Sequence, residues 1–475
     1  MILKAMRKEM DLENKKITVM GLGLNQGGLG VTRFLAKSGA HVLVTDLKTG
    51  YELQETLDKL KEYNNIQFVL GQHRIQDFVN TDMIIQNPAV PHNSKYLQVA
   101  RTHGIPIETD LSLFLKICPS RNLIAVGGTK GKSTVTNLIY HTFYQSKKNI
   151  VHAGNIGISV FDILPEIKSN TIVLLEISSW QLEGLSQISF QPHIAVLTNI
   201  LPDHLDRYGS FIDYACSEKL IYKFQNQSDY LITNLDNPIT RNIAQETPTN
   251  IFWFSTKNKV TQGSYLEEDR LIFKSKNGLT EICTISDIPI PGLHNISNIL
   301  AASNIFFIYK LPLTSIQEGI KTFPGVPNRL EKIKTFHGIN FYNDTCATTP
   351  DATIAAIQSL EAEPLILILG GRDKKLNYDK LCQTIKRKKN VINIMILQHP
   401  AYNASKIIWN NFQKLKLNNK TELCYSMSEA VQKAYQKAIP GTNIILSPAA
   451  TSFGMFSNEF ERGNSFRLAI NKLTG

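Results

Sequence analysis

One short stretch constrains the fold of this chain more than any other part of its sequence. The apolar run NLIAVGG, which begins at Asn122, continues directly into GGTKGKST, which ends at Thr134. An apolar strand that turns through glycines into a helix presents backbone N–H groups and a helix N-terminus, and both attract anions. The stretch therefore predicts an α/β unit with a phosphate-binding loop.

The loop is a variant of the common phosphate-loop pattern. The strict spacing G-x-x-x-x-G-K-[ST] requires glycine at position 126, where this chain has Val126. In the pattern, Lys132 reaches the outer phosphates and Ser133 binds a magnesium ion. We expect Lys132 on an exposed loop, and we interpret the stretch as a nucleotide site.

Three successive α/β runs predict a three-domain protein. The chain has 475 residues, too many for one ordinary core, and short apolar runs alternate with amphipathic stretches in each part. We predict a Rossmann-like N-terminal domain over 1–116, a central P-loop-type ATPase domain over 117–325 and a C-terminal Rossmann-like α/β domain over 326–475. Within the central domain, RLIFKSKNGLTEICTI predicts a hairpin with a turn at Asn277-Gly278.

The first strand of the N-terminal domain is followed by a glycine-rich turn. Gly21, Gly23 and Gly27 have the spacing G-x-G-x-x-x-G, which is not the dinucleotide pattern G-x-G-x-x-G, and Asp46 ends the next strand. Either a dinucleotide-type loop or a plain strand-to-helix turn explains these residues. If the turn is a dinucleotide-type loop, the protein could be a dehydrogenase. A dehydrogenase, however, leaves the GGTKGKST stretch unexplained.

Two polar residues of the central domain follow apolar runs, and a lysine comes after the second of them. Glu176 ends TIVLLE and can share a magnesium ion with Ser133, because carboxylate and hydroxyl oxygens suit this metal. His204 follows another apolar run, and Lys219 comes fifteen residues after it. An ammonium cannot bind a cation, so Lys219 would contribute to a metal site only when carbamylated to an anionic oxygen ligand.

Composition and charge limit the possible partners and location. The net charge is +11, but the basic residues are dispersed, as on a solvated surface, so no nucleic-acid partner is expected. The six cysteines are scattered without CxxC spacing, which predicts free thiols in a reducing cytoplasm. With no apolar signal segment and no apolar run of about 20 residues, we expect a cytoplasmic protein without membrane insertion.

Several motifs resemble those of the Mur ligases in content and order. They are GGTKGKST, EISSWQLE, DHLDRY with the later SEK, GLHNISN, NRLE and YNDT, and together they span nearly the whole chain. The resemblance implies an ATP-dependent, ADP-forming amide ligase of peptidoglycan and cell-wall synthesis. The N-terminal GLGL and the C-terminal LSPAATSFGMF and ERG resemble the branch that adds D-glutamate to UDP-N-acetylmuramoyl-L-alanine through an acyl phosphate.

The resemblance also implies roles for individual residues, with Lys132, Glu176, His204 and Lys219 as the catalytic set. ATP would be bound by Gly128, Thr129, Lys130, Gly131, Lys132, Ser133, Thr134, Asn295, Asn298, Arg329 and Asp344. Two magnesium ions are implied, one on Ser133 and Glu176 and one on His204 and carbamylated Lys219. The nucleotide-sugar substrate would be bound by Gly21, Leu22, Gly23, Leu24, Asp46, Asn155, Ser178 and Gln181, and the amino acid by Thr348, Lys374 and Ser452.

Two positions depart from the pattern of this branch. Cys346 stands where lysine is expected, and alignment on Arg462-Gly463 places Glu459 where phenylalanine is expected. An L-glutamate-adding ligase of the same family is therefore an alternative, and a folylpolyglutamate-type ligase is a more distant one. A nucleotide-regulated binding protein is the non-enzyme alternative. The implied partners are small molecules, and a monomer is expected.

Overall fold

The N-terminal domain is a parallel sheet whose strands alternate with helices. The computed structural model describes residues 11–23, 26–186, 188–204, 207–374 and 376–475. The elements are β1 (Lys16–Met20), α1 (Gln26–Lys37), β2 (His41–Asp46), α2 (Gly50–Asp58), β3 (Ile66–Leu70), β4 (Met83–Gln86), α3 (Lys95–Thr102), β5 (Ile107–Glu108) and α4 (Asp110–Ile117). The strands pair in the order β3-β2-β1-β4-β5, all parallel. Helix α2 begins where Thr49 and Glu52 form a capping box, which satisfies N–H groups that a helix start leaves without acceptors.

The central domain contains a nine-stranded sheet. Its elements are β6 (Leu123–Gly127), α5 (Lys132–Gln145), β7 (Ile150–Gly154), α6 (Val160–Ile163), β8 (Ile172–Glu176), α7 (Ser179–Gly184), β9 (Ile194–Leu197), α8 (Phe211–Lys219), β10 (Tyr230–Asn234), α9 (Pro238–Ala244), β11 (Asn250–Ser255), β12 (Gly263–Glu267), β13 (Arg270–Ser275), β14 (Gly278–Thr284), α10 (Leu293–Ile308) and α11 (Leu313–Lys321). The order is β14-β13-β12-β11-β10-β9-β6-β8-β7, with β12, β13 and β14 antiparallel and the remaining pairs parallel. The predicted hairpin is confirmed as β13–β14, and its two-residue turn lies one position earlier, at Lys276 and Asn277.

The C-terminal domain is a six-stranded sheet. Its elements are β15 (Glu331–Phe336), β16 (Ile339–Asn343), α12 (Pro350–Ser359), β17 (Leu365–Leu369), α13 (Asp379–Arg387), β18 (Val391–Leu397), α14 (Asn403–Lys414), β19 (Thr421–Cys424), α15 (Met427–Lys437), β20 (Asn443–Leu446) and α16 (Glu459–Thr474). The order is β15-β16-β20-β17-β18-β19, and only the β15–β16 pair is antiparallel. Strand β17 is apolar at every position because leucines pack on one face of the sheet and isoleucines on the other.

The chain divides into two compact units. The first runs through Asp287 and includes Ile296–Lys321, so it holds the first two sheets, and the second holds Ile288–Asn295 and everything from Thr322. Within the first unit, α1 lies against the start of α6 so closely that a Cβ at Gly30 would be 1.9 Å from Ser159 Oγ. A single apolar core continues from the first sheet into the second.

The architecture agrees with the predicted three-domain α/β class. All six cysteines are free thiols, as predicted. Every helix in the described part of the chain is too short or too polar to span a lipid bilayer. The predicted domain boundaries after residues 116 and 325 stay a prediction.

Candidate active site

The phosphate loop joins β6 to α5 and needs glycine at two positions. Gly128 has a φ of +106° and Gly131 a φ of +92°, in the region that L side chains rarely adopt. A Cβ at Gly128 would lie 2.4 Å from Thr198 Oγ1, and one at Gly131 would lie 2.3 Å from Asn298 Oδ1. The positive φ angles and the close packing against Thr198 and Asn298 therefore explain why these positions are glycine.

The first half of the loop directs its backbone N–H groups into the protein. The Gly128 N–H donates to Glu218 Oε2 over 3.0 Å. The Thr129 N–H donates to the Asn199 carbonyl over 2.8 Å, and the Lys130 N–H donates to Asn199 Oδ1 over 3.0 Å. The N–H groups of the first helical turn have no acceptor within their own helix. The start of α5 is consequently the part of this loop best suited to an anion.

Lys132 is the first residue of α5. Its ammonium donates to the carbonyl of Gly128 over 2.6 Å and to that of Thr129 over 3.1 Å. The side chain is half-buried, so the expectation that Lys132 lies on an exposed loop was wrong. The reason is that Lys132 already belongs to α5 and not to the loop before it. Its ammonium lies against the backbone of that loop.

Glu176 is the last residue of β8, beside the strand that leads into the phosphate loop. It pairs in register with Val126 of β6, and its side chain is 1% exposed. Its Oε1 accepts a hydrogen bond from Asn155 Nδ2 over 2.9 Å, whereas its Oε2 is buried without a hydrogen-bond partner. A buried carboxylate oxygen without a hydrogen-bond donor is a suitable ligand for a cation. The residues present at this position therefore fit a magnesium ion.

His204 and Lys219 are the two residues that the resemblance implies for a second metal ion. His204 is exposed, with a φ of +53°, and its ring lies 5.2 Å from that of Trp180 between centroids. The Lys219 ammonium, at the end of α8, lies 2.5 Å from Glu246 Oε2. Among the described residues, no group of three or more His, Cys, Asp or Glu side chains could hold a metal ion. With Lys219 unmodified, these two residues do not fit a second ion.

Glu218 was not among the predicted site residues, although it belongs to the SEK motif. It is 1% exposed, and its Oε1 accepts a hydrogen bond from the Tyr214 hydroxyl over 3.0 Å. Burial raises the pKa of the Glu218 carboxyl, while the Lys132 charge and the Gly128 N–H oppose that shift. The only signal in the sequence was an acidic residue next to Lys219, which does not indicate which way the side chain faces.

Asp46 holds the glycine-rich turn after β1. Its Oδ2 accepts the Gly23 N–H over 3.0 Å, and its Oδ1 accepts the Lys48 N–H over 2.8 Å. The side chain of Leu22 is fully buried in the core, so only its backbone is available to a ligand. The structure thus brings Gly21, Gly23 and Asp46 to one edge of the first sheet, and Leu24 lies outside the described residues.

Ser178 and Gln181 contact each other at the start of α7. Ser178 Oγ accepts the Gln181 N–H over 3.4 Å, and Gln181 Oε1 accepts the Ser178 N–H over 3.0 Å. This arrangement is a capping box, which stabilises the start of a helix. Asn155, the third residue implied for the muramoyl part, lies beside Glu176, and its backbone N–H donates to the Glu176 carbonyl over 2.8 Å.

The second unit brings several predicted residues to the carboxyl edge of its sheet. Asp344 accepts the Leu330 N–H over 3.0 Å and the Ser447 hydroxyl over 2.8 Å. Burial raises the pKa of Asp344 to about 7, against the attraction of the Arg329 charge and these two hydrogen bonds. These contacts place Asp344 where β16 ends, next to the loop that follows β20.

The three residues implied for the amino acid follow strands of the same sheet. Thr348 comes after β16, Lys374 after β17, and Ser452 after β20. The loops are joined, since the Ala449 N–H donates to the Ala347 carbonyl and the Arg372 N–H donates to the Thr451 carbonyl, each over 2.9 Å. Lys374 is exposed, whereas Ser452 is 1% exposed and its Oγ has no hydrogen-bond partner.

Asn295 and Asn298 both lie on α10, and both are buried. Asn298 Oδ1 is the atom that a Cβ at Gly131 would meet, which places this amide against the phosphate loop. Asn295 belongs to the second unit, and its Nδ2 donates to the Pro291 carbonyl over 2.7 Å.

Three models of one protein family match successive parts of the chain. The model described as "Mur ligase MurD-like, N-terminal domain" matches residues 15–109. The model "Mur ligase middle domain" matches 126–306, and the model "Mur ligase, glutamate ligase domain" matches 328–450. Together they follow the order of the three sheets.

Curated relatives match almost the full length. The UDP-N-acetylmuramoylalanine–D-glutamate ligase of Roseiflexus sp. (strain RS-1) is 38% identical, over 98% of this chain and 100% of that protein. Proteins with the same name from Acetivibrio thermocellus and Clostridioides difficile (strain 630) are 34% and 32% identical. These alignments cover 97% of this chain and 97% of the first relative, and 98% of this chain and 100% of the second.

Solved structures share the fold. The crystal structure of a UDP-N-acetylmuramate-alanine ligase from Thermotoga maritima has a TM-score of 0.64 and 20% identity, over 97% of this chain and 100% of that chain. A crystal structure of MurF from Acinetobacter baumannii has a TM-score of 0.61 and 14% identity, over 99% and 98%. At such identities the likeness concerns the three-domain fold alone.

Proposed function

Because the chain belongs to the Mur ligase family, whose members form amide bonds with ATP, we propose that it adds D-glutamate to UDP-N-acetylmuramoyl-L-alanine. The relatives named for this reaction align with the chain from end to end. One structural observation supports the ATP step most directly. Glu176, with its unpartnered Oε2, ends the strand that pairs with the strand leading into the phosphate loop. The reaction belongs to peptidoglycan precursor synthesis, on which cell-wall biogenesis, cell shape and cell division depend.

The phosphate loop and α5 bind ATP in this proposal. The N–H groups at the start of α5 receive the phosphates, and the Lys132 ammonium leaves the loop carbonyls to neutralise phosphate charge. Glu176 and Ser133 would hold a magnesium ion, and its positive charge would weaken the repulsion between the phosphates and an attacking carboxylate. Asn155 keeps the Glu176 carboxylate in position by its hydrogen bond.

The chemistry requires two steps because a carboxylate is a poor electrophile at neutral pH. An oxygen of the substrate carboxylate attacks the terminal phosphorus of ATP, the bond to the β-phosphate oxygen breaks, and ADP leaves. The amine of the amino acid then attacks the carbonyl carbon of the acyl phosphate. A tetrahedral intermediate forms, the amine loses a proton, and phosphate leaves.

A second magnesium ion, on His204 and carbamylated Lys219, is a finer part of the proposal. Carbamylation replaces the ammonium with an anionic oxygen donor, which this position otherwise lacks. Gly21, Leu22, Gly23, Leu24 and Asp46 hold the uridine end of the substrate. Ser178, Gln181 and Asn155 face its muramoyl part, with the first two also capping α7.

The C-terminal domain supplies the amino-acid site in this proposal. The buried Ser452 hydroxyl without a partner, the exposed Lys374 ammonium and Thr348 are the groups that bind the amino acid. Arg329, Asp344, Asn295 and Asn298 are the further residues that we propose to bind ATP. We further propose a cytoplasmic monomer, because ATP is a cytoplasmic substrate and the cysteines are free thiols.

An L-glutamate-adding ligase is the second candidate, because Cys346 and Glu459 depart from the pattern of the D-glutamate-adding branch. ADP release with UDP-N-acetylmuramoyl-L-alanine and a panel of amino acids tests both candidates. Release that depends on D-glutamate supports the proposal. Release that depends on L-glutamate favours the alternative. If the protein binds ATP but releases no ADP with any of the amino acids, it is not a ligase of this kind.

A further inference from the structure

Glu218 faces the phosphate loop from behind, although the next residue along the helix faces away. Successive residues of an α-helix point about 100° apart. Lys219 is thus directed to Glu246 near the end of α9, and its side chain is 28% exposed. Glu218 is directed inward, where it is almost completely buried.

The two carboxylate oxygens of Glu218 reach two adjacent residues of the loop. Oε2 accepts the Gly128 N–H directly. Oε1 accepts the Tyr214 hydroxyl, which also lies 2.8 Å from Thr129 Oγ1. Tyr214 gives its one hydroxyl hydrogen to Glu218, so the Thr129 hydroxyl is the donor between Thr129 and Tyr214. The Thr129 hydroxyl also lies 3.3 Å from the Leu201 carbonyl oxygen, a longer distance. The same Thr129 oxygen accepts the Leu201 N–H over 2.9 Å.

These bonds orient the loop backbone. With the N–H groups of Gly128 and Thr129 directed into the protein, the carbonyls of both residues lie where the Lys132 ammonium reaches them. The first half of the loop is thereby anchored, and the turn that begins α5 is left to meet an anion.

We propose that Glu218 is a positioning residue for nucleotide binding, which holds Gly128 directly and Thr129 through Tyr214 so that Lys132 and the start of α5 can receive phosphates. The proposal rests on the proposed ATP loop. Burying a carboxylate costs free energy that an apolar side chain of similar size would avoid. Its role as a double acceptor explains why a carboxylate occupies this position.

Calorimetric titration with magnesium and adenylyl imidodiphosphate, an ATP analogue that is not hydrolysed, tests the proposal. Glu218→Ala is expected to weaken binding about tenfold or more, because a hydrogen bond to a charged group is lost and the Gly128 N–H is left buried without an acceptor. The KM for ATP rises accordingly, and the KM for the nucleotide-sugar substrate stays within about twofold. Glu218→Gln keeps an acceptor for the Gly128 N–H and can donate to Tyr214, so it is expected to bind within about threefold of the wild type.

Ser217→Ala is the matched control. Ser217 is the buried neighbour of Glu218 on α8, and its hydroxyl oxygen lies 2.9 Å from the Tyr214 carbonyl oxygen and 3.1 Å from the Tyr208 hydroxyl. Its loss perturbs the same helix without removing a bond to the loop. Nucleotide affinity is expected to stay at the wild-type level, even where the thermal stability falls.

Lys132→Ala separates failure of this proposal from failure of the ATP loop itself. If Lys132→Ala binds the analogue as tightly as the wild type, the loop assignment falls and the proposal falls with it. If Lys132→Ala binds weakly but Glu218→Ala binds normally, only the role of Glu218 is overturned. If Glu218→Gln binds the analogue as weakly as Glu218→Ala does, the hydrogen-bonding role of Glu218 is also overturned. Should Glu218→Ala not fold, Tyr214→Phe removes only the hydroxyl, and unchanged affinity in that variant contradicts the proposal.

Discussion

The Lys219 ammonium forms an ion pair with Glu246, with 2.5 Å between Nζ and Oε2. Lys219 ends α8, and Glu246 lies two residues beyond the end of α9. The Glu246 side chain is 62% exposed, so the pair is solvated and contributes little to stability. A carbamate on Lys219 is an anion, and the pair must separate before that modification can persist.

Lys219→Ala is expected to lose ligase activity by at least about a hundredfold, because the proposed second metal site loses the anionic ligand that carbamylated Lys219 would supply. Added formate or acetate should restore part of the activity by supplying a carboxylate in the vacated space. Lys219→Arg should remain inactive and unrescued, since it places a cation where an anion is needed. Steady-state ADP release with and without formate measures all three, and equal activity of Lys219→Ala and the wild type would exclude the carbamate.

Glu246→Gln is expected to make carbamylation easier. The substitution removes the anion that holds the Lys219 ammonium, so about two- to fivefold less bicarbonate should give half-maximal activity. The modified fraction can be followed directly by ¹³C NMR with labelled bicarbonate. Glu268→Gln, which changes an exposed glutamate in the tight turn between β12 and β13, serves as the control. An unchanged bicarbonate requirement in Glu246→Gln would show that the ion pair does not oppose the modification.

Glu176→Gln is expected to raise the magnesium requirement by about tenfold or more. The amide is nearly the same size and can still accept the Asn155 hydrogen bond, but it no longer offers an anionic oxygen to the ion. The melting temperature in the absence of metal should not fall, because the substitution removes a buried charge. Activity against magnesium concentration and thermal unfolding are the two readouts. A variant with a wild-type magnesium profile would remove Glu176 from the metal site.

Asp344 makes the stability of the second unit depend on pH. The folded-state pKa of about 7 is above the usual value for an aspartate, so the protonated form is favoured by folding. The resulting stability is fully present below about pH 4 and is lost as the pH rises through 7, with a change of a few kcal/mol at most. Thermal unfolding of the wild type against Asp344→Asn, followed from acidic to mildly alkaline pH across the folded-state pKa of about 7, measures this. Parallel pH profiles for the two proteins would contradict it.

Cys346 tests the amino-acid specificity. It is half-buried, and Glu459, Asp344, Arg329 and Arg462 act on it electrostatically. Cys346→Lys adds a cation at the amino-acid site and is expected to lower the KM for D-glutamate by about tenfold, as a charged hydrogen bond would. Cys346→Ser is the neutral control and should behave like the wild type. Steady-state kinetics with the D and L forms of glutamate and aspartate measure the preference. If the wild type prefers any amino acid other than D-glutamate, Cys346 and Glu459 mark a different substrate.

Much of the architecture followed from local patterns. Apolar runs separated by amphipathic stretches predicted parallel sheets, and the Asn-Gly pair predicted the β13–β14 hairpin within one residue of its turn. Such patterns are readable because strand, turn and helix preferences depend on residues only a few positions apart. The antiparallel strand β15 has the charged sequence EKIKTF, which lacks an apolar run from which a strand can be predicted.

The sequence indicated which residues belong to the candidate site better than it indicated which atoms those residues contact. The loop glycines and Lys132 were identified from the phosphate-loop pattern, and Glu176 because it ends an apolar run. Their electrostatic partners could not be read in the same way. Ser178 and Gln181 illustrate the limit, because the same two side chains form a helix cap in the structure and were implied to bind substrate from resemblance.

The sequence by itself determined the order of strands and helices, the glycine loop before α5 and the family to which the chain belongs, because all of these are encoded in local runs and motifs. Only the tertiary structure decided that Glu218, ninety positions along the chain from Gly128, accepts the N–H of that residue. It alone also left one oxygen of Glu176 buried without a partner and paired Lys219 with Glu246. The physical reason is that hydrogen bonds and burial depend on which distant segments pack together, and no local pattern specifies the direction in which a charged side chain on a helix will face.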